Sequence, residues 1–196
     1  MSTEGRDPAR RVQLLEAADR AVSEHGGQVS VAVIAAEAGV TKPVLYRHFG
    51  DKAGLYRALA EQHTEQLVLD LRAALATRGG LRRRVAATID AYLSAIERRP
   101  DVYRFVVQHA ALEEPAVAGY IALVQQRLAA ELAAGLRRQL GLADDAARAE
   151  IWAHGIVGMV RSAGDWWLEQ RSVSRPVLVS ELTDLLLGDL ATDPNR

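Results

Sequence analysis

The sequence predicts an all-α fold of about nine helices, and three observations support this fold class. Apolar residues recur at spacings of three and four through most of the 196-residue chain. In the N-terminal third, residue types that favour helix starts alternate with glycines that favour helix ends. The chain has only six prolines and few β-branched runs, which favours helices over strands.

The first predicted helix covers about residues 9–25 and is preceded by Pro8, which a first helical turn tolerates. Its expected buried face is Val12, Leu15, Ala18 and Val22, and Gly26 and Gly27 follow its end.

Two short helices are predicted next, over about residues 30–38 and 41–50. Ser30 and Thr41 are the expected N-caps, and Gly39 is the expected left-handed residue between the helices. Helices this short with so brief a turn between them predict a helix-turn-helix.

The rest of the chain continues with helical periodicity. A long fourth helix begins at Asp51 and is predicted to reach about residue 78, because Leu55, Leu59, His63, Leu67, Leu71 and Leu75 recur every four positions. Further helices are predicted over about 81–98, 101–111, 115–140, 144–171 and 175–190. We place a domain boundary between residues 52 and 53, with a three-helix domain in 1–52 and a larger helical domain in 53–196.

Composition excludes several classes of protein. The absence of cysteine excludes thiol catalysis, a disulfide framework and cysteine-based zinc sites. There is no apolar run long enough for a membrane span and no signal peptide, so we expect a cytoplasmic protein without a membrane partner. The net charge of −1 means that any nucleic-acid surface must be a local patch.

Such a patch is predicted on the third helix. If Leu45 and Phe49 face the core with Ile34, Ala35, Ala38 and Val40, the helical period turns a different set outward. That outward set is Lys42, Pro43, Val44, Tyr46 and Arg47. A major groove is wide enough for a helix with this face. Lys52 follows at the start of the next helix, where backbone N–H groups also favour a phosphate.

The stretch "IAAEAGVTKPVLYRHFGDKAGLYRAL" resembles the DNA-binding module of the TetR (tetracycline-repressor) family of bacterial regulators. The resemblance covers about residues 9–60, and its specific part is "AGV-T-x-x-x-LYRHF-x-DK-x-x-L". It implies an N-terminal helix-turn-helix DNA-binding domain and a C-terminal helical domain for ligand binding and dimerisation. The implied function is a homodimeric repressor, released from a palindromic double-stranded operator by a small apolar or aromatic effector.

The resemblance also implies roles for single residues. Tyr46, His48 and Lys52 would contact phosphates, and Thr41 would cap the third helix and reach the DNA backbone. Lys42, Pro43, Val44 and Arg47 occupy the base-reading positions of the family.

One departure from the family pattern concerns the second helix. Val31 and Ala32 stand where family members often have Thr or Arg, so we expect little base reading there. The third helix would carry more of the reading, together with an N-terminal arm of Arg6, Arg10 and Arg11, since such arms can enter a minor groove. The alternative for this arm is a disordered tail.

Dimerisation is expected on the last two helices, which carry apolar stripes: Ile156, Val160, Ala163 and Trp167 on one, and Leu178, Leu182, Leu185 and Leu186 on the other. Gly155 and Gly158 would allow a partner helix to approach closely. The resembled family dimerises through the corresponding helices. The alternative is that both stripes face the chain's own core.

A ligand pocket is expected among the larger domain's helices. Its candidate residues combine apolar surface with a few polar groups, as ligand pockets do: Tyr92, Tyr103, Val106, His109, Tyr120, Trp152, Met159 and Trp166. The alternative is a plain core with tyrosines at its rim.

Other functional classes find little support in the residues. His63, His109 and His154 are widely spaced, without an obvious carboxylate companion, so we expect no metal site. No nucleophile or phosphate-loop motif is present, and we expect neither catalytic residues nor a cofactor. A second hypothesis is a helical DNA-binding regulator controlled by a partner protein, with no small-molecule pocket.

Overall fold

The computed structural model describes residues 8–26, 29–140 and 146–188, in which every regular element is helical. The elements are α1 (Pro8–His25), α2 (Val31–Glu37), α3 (Lys42–Phe49), α4 (Lys52–Leu75), α5 (Leu81–Arg98), α6 (Pro100–Arg104), a π-helical turn (Phe105–Ala110), α7 (Ala111–Glu113), α8 (Pro115–Leu140), α9 (Ala146–Gln170) and α10 (Arg175–Leu187). The three pieces from Pro100 to Glu113 are consecutive, and taken as one they make nine helices of the described residues. The predicted fold class is confirmed.

The sequence signals for helix ends act largely as expected. Ser30 Oγ accepts a hydrogen bond from the Val33 amide at 3.4 Å, which caps α2. Asp51 Oδ1 accepts one from the Gly54 amide at 2.7 Å at the start of α4. Thr41 does occupy the N-cap of α3, but its side chain makes no capping hydrogen bond, so that part of the prediction is wrong.

Several predicted details differ from the structure. A single helix over 101–111 is wrong, because a π-helical turn interrupts it. Val12 was placed on the buried face of α1 but is 55% exposed, since the buried stripe runs through Leu14, Ala18 and Val22. The predictions for Arg6 and Gly27, and the predicted helix bounds at Asp144 and Leu190, lie outside the described residues.

The chain divides into two compact units. The first unit comprises Met1–Glu65 and Arg99–Leu123, and the second comprises Gln66–Arg98 and Val124–Arg196. The predicted domain boundary between residues 52 and 53 stays a prediction.

The core of the first unit joins its N-terminal helices to the later segment of the same unit. Buried side chains from α1 to α4, such as Val22, Leu45 and Leu59, form one cluster with Phe105 and Val117. Each such side chain contributes about 1.5–3 kcal/mol through removal from water. The first unit therefore needs both of its chain segments to complete its core.

In the second unit, α5 packs against both α9 and α10. Gly164 allows the approach of α9, because a Cβ there would lie 3.0 Å from side-chain atoms of Tyr92 and Ile96. Arg175, at the start of α10, donates to Asp90 at 2.8 Å and to Glu97 at 2.5 Å on α5. No helix of the described ranges is long and apolar enough to cross a membrane.

Candidate nucleic-acid interface

Helix α3 is held by two buried residues one turn apart. Leu45 and Phe49 both belong to the core cluster of the first unit, together with Ile34 and Ala35 of α2. Ala38 and Val40 are partly buried against the same cluster. These positions confirm the predicted inner face of α3 and fix its rotation about its own axis.

The side of α3 opposite Leu45 and Phe49 is the more exposed one, although Tyr46 at its margin packs against the same cluster. Lys42, Pro43 and Arg47 are exposed, and Val44 and Tyr46 are half-buried at the margins. We call these five residues the α3 face. The structure therefore brings the predicted base-reading residues together on one accessible surface.

Tight turns at both ends of α3 set its direction. Gly39 has a φ of +63°, and the amides of Gly39 and Val40 donate to Ala36 and Ala35 carbonyls, both at 3.0 Å. At the other end, a Cβ on Gly54 would lie 1.9 Å from the Phe49 carbonyl oxygen. Only glycine at position 54 lets α4 begin this close to the end of α3.

Two arginines that we had assigned to an N-terminal arm lie in α1 instead. Arg10 donates to Gln13 at 3.0 Å. The Arg11 guanidinium carbon lies 4.9 Å from the centre of the Phe49 ring, a cation–π contact at the C-terminal end of α3. The arm prediction is wrong for these two residues, because the helix already begins at Pro8.

Lys52, at the first position of α4, is engaged in an ion pair. Its ammonium donates to Glu113, lies 3.6 Å from Glu114 and is 5.3 Å from the centre of the Tyr56 ring. The hydrogen bond to Glu113 raises the pKa of Lys52 above its ordinary value, and the same bond lowers the pKa of Glu113. Both shifts favour the charged pair at neutral pH.

His48 has one nitrogen, Nδ1, that is buried without a hydrogen-bond partner in the described part of the chain. The ring is half-buried beside the α3 face.

Val31 of α2 is buried in the core and Ala32 is exposed, so α2 offers a methyl group where a longer polar side chain would be needed to reach a base.

This geometry agrees with two family models. Residues 14–59 match the model described as bacterial regulatory proteins of the tetR family. Residues 70–196 match the model of the tetracyclin repressor-like C-terminal domain. The chain belongs to the TetR family.

Full-length relatives of this TetR-family chain are transcriptional regulators. The HTH-type transcriptional activator FasR of Mycolicibacterium smegmatis is 32% identical over 187 residues, which cover 94% of this chain and 84% of the relative. A Mycobacterium tuberculosis protein, named only as an uncharacterized HTH-type transcriptional regulator, is 34% identical over 178 residues, or 90% of this chain and 75% of its own length.

Solved structures show the same fold. A TetR-like regulator from a Rhodococcus species has a TM-score of 0.71 at 22% identity and covers 94% of this chain and 97% of its own. A TetR-family regulator from Streptomyces coelicolor has a TM-score of 0.74 at 21% identity and covers 96% of this chain and 81% of its own. At these identities the likeness is one of fold.

The predicted dimerisation residues of the TetR-family chain have two different environments. Val160, Trp167, Leu178 and Leu182 are buried in the chain itself. Trp167 is only 1% exposed, and its indole N–H donates to the Val173 carbonyl at 2.8 Å. These four side chains pack largely within the chain itself, and their assignment to the dimer stays a prediction. Ile156, Ala163 and Leu186 are half-buried, and Leu185 is exposed.

The predicted pocket residues are divided between the two units. Tyr103, Val106, His109 and Tyr120 belong to the first unit, and Tyr92, Trp152, Met159 and Trp166 to the second. Trp152 and Trp166 are 44% and 48% exposed, so these two indoles are not interior in the single chain. In the first unit, Val106 is buried and the hydroxyls of Tyr120 and Thr64 are 2.7 Å apart.

The sequence interpretation missed several charged contacts. Glu113 follows His109 by four residues, a spacing that allows a contact, and the two side chains are 3.6 Å apart. His63 also has a carboxylate companion, Asp19, at 2.7 Å. These two residues are 44 positions apart, so no local pattern could have paired them.

Asp19 links three parts of the first unit. Its carboxylate shares a hydrogen bond with His63 of α4 and accepts another from Arg99, the residue before α6. Burial would raise the pKa of Asp19, but the hydrogen bonds and charges of His63 and Arg99 outweigh burial, so the pKa lies below its ordinary value. The contact stabilises the unit above the ordinary pKa of Asp and is lost as the pH falls through the lowered value.

We therefore expect Asp19→Asn to reduce the free energy of unfolding by about 1–2 kcal/mol at neutral pH. The difference from the wild type should shrink below about pH 4, as the wild-type carboxyl also becomes protonated. Urea unfolding followed by circular dichroism between neutral and acid pH measures this. Glu24→Gln, which also lies on α1, is the control. An equal loss at every pH would contradict a charge-dependent role for Asp19.

Proposed function

We propose that this TetR-family regulator binds a palindromic operator as a homodimer and is controlled by a small, largely apolar effector. The observation that carries the DNA-binding part is the α3 face, which is held accessible by the burial of Leu45 and Phe49 on the opposite side. A helix presented in this way fits a major groove.

The chemistry of the α3 face supports separate roles for its residues. Arg47 and Lys42 are exposed cations that can donate to the O6 and N7 atoms of guanine, and Pro43 or Val44 can contact a thymine methyl group. Tyr46 of this face and the neighbouring Thr41, His48 and Lys52 supply phosphate contacts, which position the helix without reading sequence.

Dimerisation follows from the small size of one α3 face and from exposed apolar residues on α9 and α10. Trp152, Met159 and Trp166 are spaced by seven residues, which puts them on one side of α9. Gly155 lies on the same side with open space around it. On α10, Val177 and Leu185 are exposed. We propose that a second copy covers this α9–α10 surface. Trp152, Met159 and Trp166, which the sequence assigned to the pocket, then belong to the proposed interface.

The effector is proposed to bind the first unit near the π-helical turn. Tyr103, Val106, His109 and Tyr120 there combine aromatic and apolar surface with a few polar atoms, as ligand sites do. π-helical turns inside α-helices occur frequently at functional sites. Control by a partner protein, without a small molecule, is the competing proposal.

The direction of regulation is proposed to be repression, with effector binding weakening DNA binding. FasR, the relative from Mycolicibacterium smegmatis, is named an activator. A reporter gene under the chain's own operator, measured with and without the protein, distinguishes the two directions. Higher expression with the protein present would contradict repression.

The roles on the α3 face can be separated by two substitutions. Arg47→Ala should cost about 1–3 kcal/mol in binding to an operator duplex, and much less on duplexes altered at the base it contacts. Lys52→Ala should weaken binding to all duplexes alike and lower the slope of log K against log salt by about one. Fluorescence anisotropy over a salt series, with duplexes selected by the protein from a random pool, measures both. A changed sequence preference for Lys52→Ala at an unchanged slope would refute the roles.

The proposed dimer surface predicts that Trp166→Asp produces a folded monomer with at least tenfold weaker operator binding, because each half-site then binds alone. Sedimentation velocity measures the oligomeric state, and circular dichroism checks the fold. Leu112→Asp, a change of similar chemistry at a residue 86% exposed in the first unit, is the control and should stay dimeric. A Trp166→Asp dimer of unchanged strength would place the interface elsewhere.

An effector must stabilise the protein and change its DNA affinity by linked amounts. In a panel of small apolar and aromatic compounds, we expect a compound that binds to raise the melting temperature of the protein and to weaken operator binding. The operator must weaken the binding of that compound by the same factor. Tyr103→Ala should reduce the rise in melting temperature that the compound causes. Leu123→Ala, at an exposed position of α8 in the same unit, should leave that rise unchanged. Regulation that responds to no compound but to a co-purified protein would support the partner alternative.

A further inference from the structure

Lys52 has two possible partners of the same charge. In the proposed function it binds a DNA phosphate, but in the DNA-free chain its ammonium already donates to Glu113 and lies 3.6 Å from Glu114. All three residues belong to the first unit, as does the α3 face. The acidic residues come from the segment 99–114, which is far from Lys52 in sequence.

That segment is attached to the N-terminal helices at both of its ends. At its start, Arg99 donates to Asp19 of α1. At its end, Glu113 accepts from Lys52 of α4. Between them, the Phe105 ring packs edge-on against Tyr56, with ring centres 4.7 Å apart. The segment that carries Glu113 is thus positioned next to Lys52 by several contacts, and the Lys52–Glu113 pair itself is exposed.

The Lys52–Glu113 ion pair lies where it would oppose the binding of a DNA phosphate to Lys52. A phosphate that approaches the Lys52 ammonium has to displace the Glu113 carboxylate or lie beside it. Two carboxylates near one ammonium also cancel its attraction for an anion over the short range at which charges act in salt solution. Besides Lys52, the cations on or against α3 include Lys42, Arg47 and Arg11, so the neutralisation of Lys52 lowers the local positive charge without abolishing it.

We propose that Glu113, supported by Glu114, sets the DNA affinity of this chain by competing with the DNA backbone for Lys52. DNA binding then has to break the Lys52–Glu113 pair, and any change that moves Glu113 away from Lys52 strengthens binding to every sequence. This inference rests on the proposed phosphate contact of Lys52.

The test is a double-mutant cycle between Glu113→Gln and Lys52→Ala in the full-length chain. Binding is measured by anisotropy to a duplex selected by the wild type from a random pool, and to poly(dI-dC) as non-specific DNA. Glu16→Gln on α1 is the matched control, because it removes the same charge from an exposed position of the same unit. Circular dichroism and melting temperature confirm that each variant folds.

Glu113→Gln is expected to bind both DNAs about two- to fivefold more tightly than the wild type, the range for an exposed ion pair. Glu16→Gln should change the affinity for both DNAs by a smaller factor than Glu113→Gln does. In the Lys52→Ala background, the advantage of Glu113→Gln over Glu16→Gln should disappear.

Two results would overturn the competition and leave the proposed function intact. One is a Glu113→Gln variant that binds like Glu16→Gln while Lys52→Ala weakens binding. The other is a gain from Glu113→Gln that persists without Lys52. If Lys52→Ala has no effect, the phosphate contact and the competition both fail, while the Arg47 role stands. A wild type that selects no duplex over poly(dI-dC) refutes the proposed function itself.

Discussion

The burial of Leu45 and Phe49 is the interaction on which the rest of the DNA-binding unit depends. These two side chains lie one turn apart on an eight-residue helix and enter a core formed with α1, α2 and α4. A helix this short has almost no stability of its own, so its orientation is set by these tertiary contacts. Once that side is buried, Lys42, Pro43 and Arg47 have no alternative to facing outward. The same two residues that hold the helix therefore determine which residues it presents.

The sequence allowed accurate prediction of this region because its signals are local. Ser30, Gly39 and Asp51 act within three residues of themselves, and the spacing of Leu45 and Phe49 defines a face without knowledge of the rest of the fold. The sides of α9 could not be assigned in this way. Both of its apolar stripes have the same period and similar composition, and only the folded structure shows that Trp167 is internal and Trp166 external. Periodicity gives the stripes of a helix but not their partners.

Long-range charge pairs were beyond prediction for the same reason. Asp19 with His63 and Arg99, and Lys52 with Glu113, are separated by 44, 80 and 61 positions. The contacts of Arg99 and Glu113 depend on the return of the segment 99–123 to the first unit, and nothing in the composition of that segment marks this return. The helix-turn-helix residues are recognisable alone, but the unit that carries them is built from two separate parts of the chain.

This construction has a physical consequence for how DNA binding is controlled. Residues 1–65 alone would leave Tyr56 and Leu59 without the cover that Phe105 and Val117 provide, so the later segment is part of the fold of the DNA-binding unit. A segment that both completes this core and carries Glu113 cannot shift without affecting Lys52. Under the competition proposed for Glu113, the attraction of the chain for DNA, which its net charge of −1 does not favour, depends on a few local cations and on whether neighbouring acids leave them free.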